Sequence, residues 1–258
     1  MSNIVVQKFG GTSLADTDRF KAVAKIIKDT SKTGKKVVAV VSAMAGETQR
    51  LIDLAKKVQE TPDPREYDAL FSSGEQVSVA LLAMTLRNEK VNSKSYTAFQ
   101  LGLRTDDYHG KARINSIDTK NILKDISADI TPVITGFQGV NEEGDITTLG
   151  RGGSDTSAVA LAVALEAEEC QIYTDVNGVY TTDPNVYEKA KKIDKLTFEE
   201  MLELSSLGAK VLQIRSVEFA SKYNMPIRVK SSFTDDEGTL INGEENMEDA
   251  LISGVTHT

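Results

Sequence analysis

Residues 150–155 read Gly-Arg-Gly-Gly-Ser-Asp and precede an apolar run that predicts a helix over 156–165. Glycines let the backbone approach a ligand closely and adopt positive φ without a Cβ clash. The first turn of a helix offers N–H groups without intrahelical partners, and such groups bind anions. Because the Arg151 guanidinium matches a carboxylate or a phosphate, this loop predicts an anion site, although a Ser or Asp helix cap would look similar.

A second glycine segment, Lys8-Phe9-Gly10-Gly11-Thr12-Ser13, follows a short β-rich run that begins at Ile4. A lysine there can neutralise phosphate oxygens while the amides of Gly10 and Gly11 cradle them. A basic residue before an ordinary glycine turn is the alternative. The chain lacks both the Gly-x-x-x-x-Gly-Lys-[Ser/Thr] pattern and a Gly-x-Gly-x-x-Gly after the first strand, which argues against a P-loop or a dinucleotide site.

Composition narrows the class of protein. The chain has 258 residues, of which 40% are hydrophobic and 26% charged, as in a globular protein. The net charge of −8 argues against a nucleic-acid partner, because such proteins carry a basic patch. No apolar run approaches the roughly 18 residues of a membrane span, and the N-terminus does not resemble a signal peptide. We therefore expect no membrane partner.

Cysteine and histidine are scarce. The single cysteine, Cys170, excludes an internal disulfide, predicts a small core residue and favours a reducing, cytoplasmic compartment. His109 and His257 lie far apart in sequence, so no transition-metal cluster is expected, and both are interpreted as surface residues.

Hydrophobic periodicity places these segments on alternating strands and helices. The pattern predicts strands over 4–9, 37–41, 94–99, 112–117, 131–135, 169–174, 226–230 and 239–241. It predicts helices over 16–30, 48–58, 68–86, 119–127, 156–165, 196–207 and 209–222, the third with a kink or an interruption near Gly74. Such alternation is typical of an α/β fold, here a three-layer αβα sandwich with a mostly parallel sheet.

Five motifs in this order give the chain a specific resemblance. They are Lys8-Phe9-Gly10-Gly11-Thr12-Ser13, Ser72-Ser73-Gly74-Glu75, Gly150-Arg151-Gly152-Gly153-Ser154-Asp155, Tyr173-Thr174-Asp175-Val176 continuing through Gly178 to Asp183-Pro184, and Leu207-Gly208-Ala209-Lys210-Val211-Leu212. From Ile4 to about Ile241 the chain resembles the aspartate kinases of the amino-acid kinase superfamily. The resemblance implies the fold of that superfamily, with a catalytic domain over 1–241.

The resemblance also implies the reaction. We expect transfer of the γ-phosphoryl group of ATP to the β-carboxylate of L-aspartate, the first step of lysine, threonine and methionine biosynthesis. Mg²⁺ is expected to bridge the nucleotide oxygens, with no metal site made by protein side chains alone. The partners implied are aspartate and ATP, and a homodimer is a further expectation.

Residue roles follow from the matching motif positions. The catalytic residues implied are Lys8, Asp155 and Lys210, the acid holding one of the two lysines in place. On the substrate side, Arg151 is expected to clamp the aspartate α-carboxylate and Glu75 to pair with its ammonium. The remaining residues implied are Ser42, Thr48 and Ser154 for the substrate, and Lys8, Gly10, Gly11, Thr174, Asp175, Tyr180, Asp183 and Lys210 for ATP. From composition alone, Glu75 and Lys210 would be solvated helix residues.

The chain departs from the family pattern at two places. Many members have His-Pro-Arg where this chain has Gln213-Ile214-Arg215, a change that concerns the local loop and subunit contacts. Residues 242–258 resemble the start of an ACT-type regulatory domain, the rest of which does not follow. That suggests a truncated or naturally short form and predicts activity insensitive to lysine and threonine.

Two alternatives to aspartate phosphorylation stay open. One is another phosphotransferase of the superfamily, acting on glutamate, acetylglutamate, carbamate or a nucleoside monophosphate. The other is a non-catalytic amino-acid-binding module. The Glu75 segment and Arg151 favour an amino-acid substrate, and Lys8, Asp155 and Lys210 favour catalysis.

Overall fold

A computed structural model of the protein describes residues 3–184, 186–206 and 211–243. The strands are β1 Ile4–Phe9, β2 Lys36–Val41, β3 Ser93–Tyr96, β4 Leu103–Thr105, β5 Ile114–Ile117, β6 Thr131–Thr135, β7 Gln138–Val140, β8 Ile146–Thr148, β9 Glu169–Thr174, β10 Lys195–Thr197, β11 Ile227–Ser231 and β12 Thr239–Asn242. The helices are α1 Thr17–Lys32, α2 Glu47–Val58, α3 Pro64–Asn88, α4 Ala98–Leu101, α5 Lys120–Ser127, α6 Gly153–Ala164, α7 Phe198–Ser206 and α8 Ile214–Tyr223.

The main sheet has eight strands in the order β10-β12-β11-β9-β1-β2-β6-β3. Every neighbouring pair is parallel except β11 with β12, so the predicted, mostly parallel sheet is confirmed. Its central strands are continuous apolar runs, as expected for a sheet buried on both faces. The β2 segment, for example, is buried from Val37 to Val41.

Two apolar cores lie on opposite faces of this sheet. Phe9 of β1 packs in one core with Phe20 of α1 and Leu82 of α3. Val6 of β1 belongs to the other core, together with side chains of α6, α7 and α8. Successive residues of a strand point to opposite faces, so one strand serves both cores. The three-layer αβα arrangement is therefore confirmed.

A smaller, four-stranded sheet, ordered β5-β4-β7-β8, stands beside the main one. Only β5 lies within a predicted strand. The other three strands have three residues each, too few to show an alternating pattern. This sheet matters for the site because β8 ends at Thr148. Residues 149–152, called the glycine-arginine loop below, connect β8 to α6.

The longest helix, α3, runs without a break through Gly74, so the predicted interruption there is wrong. A Cβ at Gly74 would lie 2.9 Å from the Cβ of Ala43. The glycine thus lets α3 approach the loop after β2. By length and composition α3 would also suffice to cross a membrane, contrary to the sequence expectation. It carries buried Asp68 and Glu75 and packs against α1 and β3, which identifies it as a core helix.

Candidate active site

The carboxyl ends of the central parallel strands share one edge of the main sheet. Backbone hydrogen bonds join the residues that follow them: Gly10 N donates to Tyr173 O (3.3 Å), Ser42 N to Phe9 O (3.1 Å) and Gly136 N to Val41 O (2.9 Å). These loops form one continuous surface. In open α/β sheets, ligands bind at this edge, outside the carboxyl ends of the strands.

Helix α6 begins at the same edge. It starts at Gly153, three residues earlier than predicted, so Ser154 and Asp155 belong to its first turn. A Cβ at Gly136 would lie only 2.7 Å from the Cβ of Ser154, which places this turn directly against the end of β6. The N-terminus of a helix favours negative charge, and α6 brings that property to the strand ends.

An ion pair joins β1 to this turn. Lys8 Nζ lies 2.6 Å from Asp155 Oδ1, and the two side chains are 12% and 11% exposed. The sequence predicted that Asp155 would hold either Lys8 or Lys210, and the structure pairs it with Lys8. Lys210 lies outside the described residues. Because the Asp155 carboxylate restrains Lys8, the ammonium group keeps a defined position at the carboxyl ends of the strands.

Glu75 is the second charged group at this edge. It is only 4% exposed, so its interpretation as a solvated helix acid is wrong. Oε1 accepts a hydrogen bond from Ala43 N at 3.1 Å, while Oε2 has no hydrogen-bond partner in the described part of the chain. Burial raises the pKa of Glu75 to about 7, although the bond from Ala43 opposes this rise.

Thr135, at the end of β6, is another buried polar group of this region. Its Oγ1 also has no hydrogen-bond partner among the described residues. Buried polar atoms are rarely left unpaired, so a water molecule or a ligand would complete the hydrogen bonds of Thr135 and Glu75. The sequence analysis did not single out Thr135, and its place at the end of a predicted strand was the available signal.

The two glycines after β1 lie beside Lys8. A Cβ at Gly10 would be 3.6 Å from Lys8 Nζ, and one at Gly11 would be 3.1 Å from Ala43 O. A side chain at Gly10 would fill space next to the ammonium group, and one at Gly11 would crowd the loop after β2. Ser42 is half-buried in the adjoining loop.

The remaining substrate-side residues are more open. Thr48 is exposed on the first turn of α2. Arg151 is exposed at the tip of the loop between β8 and α6, and its side chain makes no ion pair with another described residue. A guanidinium and a carboxyl are the groups that would bind the opposite charges of a zwitterion such as an amino acid.

The predicted nucleotide residues follow β9. Thr174 ends that strand, and its Oγ1 donates to Asp175 Oδ1 at 2.9 Å. The structure thus brings Thr174 and Asp175 to the edge where Gly10 lies. Tyr180, half-buried, pairs with Lys192 as an isolated β-bridge, and Asp183 is exposed farther along the same segment.

One buried acid supports the loop, and the sequence analysis missed it. Asp68 of α3 is 1% exposed and accepts hydrogen bonds from Gly110 N (2.9 Å), Thr148 N (3.0 Å) and Thr148 Oγ1 (2.6 Å). Nδ1 of His109 lies 2.9 Å from Asp68 Oδ2, so the interpretation of His109 as a surface residue is wrong. Asp68 precedes Glu75 by two helical turns, and this spacing was the signal for a shared face.

A separate cavity of about 510 Å³ lies at the amino ends of the strands, far from these residues in the fold. Several lysines line it, including Lys28 and Lys36. Lys28 pairs with Glu89 at 3.3 Å and Lys36 with Asp129 at 2.8 Å. Since their charges are matched by acids, this cavity is a weaker candidate for an anion site than the carboxyl edge.

The fold and the site together define an α/β sandwich protein in which glycines, a lysine and a helix N-terminus meet at the carboxyl ends of the strands. Residues 3–231 match the amino acid kinase family, and the chain belongs to that family. It is 58% identical over 254 residues to an aspartate kinase of Stutzerimonas stutzeri, covering 98% of this chain and 62% of that relative. The chain thus spans less than two thirds of the length of this curated relative.

Two solved structures extend the comparison. The aspartate kinase of Synechocystis superposes with a TM-score of 0.85 at 44% identity, over 96% of this chain and 41% of that one. The aspartokinase III of E. coli, in complex with aspartate and ADP, also gives a TM-score of 0.85, at 32% identity, over 94% of this chain and 65% of that one. Both similarities span nearly all of this chain.

Proposed function

We propose that this protein transfers the γ-phosphoryl group of ATP to the β-carboxylate of L-aspartate, giving 4-phospho-L-aspartate and ADP. The observation that carries the proposal is the Lys8–Asp155 pair at the carboxyl ends of the strands. Glu75 is buried at this edge, and Arg151 is exposed on the loop that leads into α6. The relatives named aspartate kinase, and the solved complex with aspartate and ADP, support this choice of substrates.

Phosphoryl transfer to a carboxylate requires no covalent intermediate with the protein. A β-carboxylate oxygen forms a bond to the γ-phosphorus, and the bond from that phosphorus to the β,γ-bridging oxygen breaks. Because the attacking carboxylate is already ionised, no general base is needed. Asp155 is therefore assigned to holding Lys8, whose charge stabilises the transferring group.

The substrate contacts follow from charge. Arg151 would bind the α-carboxylate bidentately, and Glu75 would accept from the α-ammonium, with Ser42, Thr48 and Ser154 lining the pocket. Gly10, Gly11, Thr174, Asp175, Tyr180 and Asp183 would hold the nucleotide, with Lys210 as a second phosphate cation. Mg²⁺ would be carried by the phosphate oxygens of the nucleotide. When bound, it would neutralise charge on those oxygens. Among the described residues, no three His, Cys, Asp or Glu side chains form a metal-ligand set.

One assay tests the proposal against both alternatives. The protein is incubated with Mg-ATP, aspartate and hydroxylamine, and the hydroxamate of the acyl phosphate is measured, with glutamate as the matched control substrate. We expect product with aspartate and little with glutamate. Product only with glutamate would support another member of the family, and no product with any acceptor would support a binding module.

A further inference from the structure

Gln213, the residue directly before α8, contacts the tip of the glycine-arginine loop. Its Nε2 donates to the backbone oxygen of Arg151 at 2.8 Å, and its Oε1 accepts from Ile214 N at 3.1 Å. Gly152 has a φ of +67°, and a Cβ there would lie 2.3 Å from Gln213 Cγ. The Gln213 side chain therefore packs against Gly152 and donates a hydrogen bond to the backbone of Arg151, whose guanidinium is exposed.

Arg215, on the first turn of α8, holds the stem of the same loop. Its Nη1 donates to Leu149 O at 2.7 Å and its Nη2 to Ala112 O at 3.1 Å. The start of α8 thus contacts both the stem, through Arg215, and the tip, through Gln213. Because the stem bonds do not reach Arg151, the tip depends on Gln213 for its restraint from this side.

A restrained tip matters for binding. The loop contains φ values of +81° at Gly150 and +67° at Gly152, which glycine adopts without strain but does not enforce. A freely moving tip would let the Arg151 guanidinium sample many positions, and the entropy of fixing it would weaken a bidentate contact. A side-chain hydrogen bond to the Arg151 carbonyl reduces that freedom before the ligand arrives.

We propose that Gln213 is a positioning residue, which holds the Arg151 backbone in place so that its guanidinium can bind the α-carboxylate of aspartate. This role rests on the proposed function. It predicts that losing the bond from Gln213 to Arg151 weakens aspartate binding more than ATP binding.

The test compares three variants of the whole chain. Gln213→Glu keeps an oxygen acceptor for Ile214 N but removes the donor to Arg151, and Gln213→Ala removes both. Glu218→Gln is the matched control, since Glu218 is exposed on the same helix. KM for aspartate, KM for ATP, kcat and Tm are measured for each, and the Kd for aspartate is measured calorimetrically.

Loss of one hydrogen bond should raise KM for aspartate about 3- to 10-fold in both Gln213 variants, with KM for ATP and the Tm of Gln213→Glu nearly unchanged. The calorimetric Kd for aspartate should rise by a similar factor in the Gln213 variants and stay unchanged in Glu218→Gln. An active wild type with unaltered aspartate KM in both variants would overturn this role alone. Equal rises in both KM values with a lower Tm would also overturn it. An inactive wild type would overturn the proposed function, and this role with it.

Discussion

Lys8 Nζ and Asp155 Oδ1 lie 2.6 Å apart, across the boundary between the central strand β1 and the first turn of α6. Ile4 and Val6 of β1 pack in the core beneath α6. Lys8 continues this row by the two-residue period of a strand, so it emerges where that core ends. There the first turn of α6 supplies Asp155 instead of an apolar side chain, and this carboxylate fixes the Lys8 ammonium group at the sheet edge.

Removing this cation should abolish most turnover. We expect Lys8→Ala to lower kcat by about 100-fold or more, since charge on the transferring phosphoryl group would lose its stabilisation. Asp155→Asn should lower kcat less, because the lysine remains but is no longer fixed. The hydroxamate assay measures both. In the double variant the losses should not add, as expected for two residues that act as one unit.

The control for this pair is Lys21→Ala, since Lys21 is an exposed lysine of α1 that pairs with Asp18. It should leave kcat unchanged. Full turnover in Lys8→Ala would contradict the assignment of Lys8.

Arg151 should govern aspartate affinity more than rate. Arg151→Ala should raise KM for aspartate about 10- to 100-fold, because a bidentate, charge-assisted contact is lost. Arg151→Lys should recover only part of this, since an ammonium lacks the planar fork. Steady-state kinetics with aspartate as the varied substrate measure the effect, with Lys124→Ala on α5 as a surface control. An unchanged KM in Arg151→Ala would place the α-carboxylate elsewhere.

Glu75 should make stability depend on pH. Its pKa in the folded protein is raised to about 7 from an ordinary value of 4.5. The carboxyl is neutral in both states below the lower value, and above the higher value it must be ionised within the folded protein. Wild type should therefore lose about 3 kcal/mol of stability relative to Glu75→Gln as pH rises from about 4.5 to 7.

Urea unfolding of wild type and Glu75→Gln at pH 5 and pH 8 measures this difference. Glu66→Gln, at an exposed position of the same helix, is the control. The difference in unfolding free energy between wild type and this variant should be the same at pH 5 and pH 8. If the difference in unfolding free energy between wild type and Glu75→Gln were the same at both pH values, the raised pKa of Glu75 would be contradicted. Aspartate binding should also weaken in Glu75→Gln, because the ammonium would lose its carboxylate.

Asp68 should be important for folding stability. Asp68→Ala would leave the amide groups of Gly110 and Thr148 without their acceptor, at the base of the glycine-arginine loop. We expect the free energy of unfolding to fall by about 2–4 kcal/mol, since charged acceptors contribute more than neutral ones. Chemical denaturation measures the change. A loss below about 0.5 kcal/mol would show that solvent or a neighbouring group replaces the carboxylate.

Much of the fold could be predicted from the sequence. The long strands and helices carry clear periodicity, so their order and the parallel sheet followed from local patterns. The three-residue strands β4, β7 and β8 could not be predicted, because their pairing depends on partners distant in the chain. Gly74 was misread for a related reason. Its lack of a side chain serves the contact with Ala43, which local sequence does not reveal.

The sequence by itself determined which residues are available for chemistry: the lysine and glycines after β1, the glycine-arginine loop and the acids that follow from the motifs. Only the tertiary structure decided that Asp155 pairs with Lys8, that Glu75 is buried with a raised pKa, and that Asp68 and Gln213 support the loop. The reason is physical. Burial and ion pairing depend on contacts between elements far apart in sequence, whereas a sequence motif reflects the local order of residues along the chain.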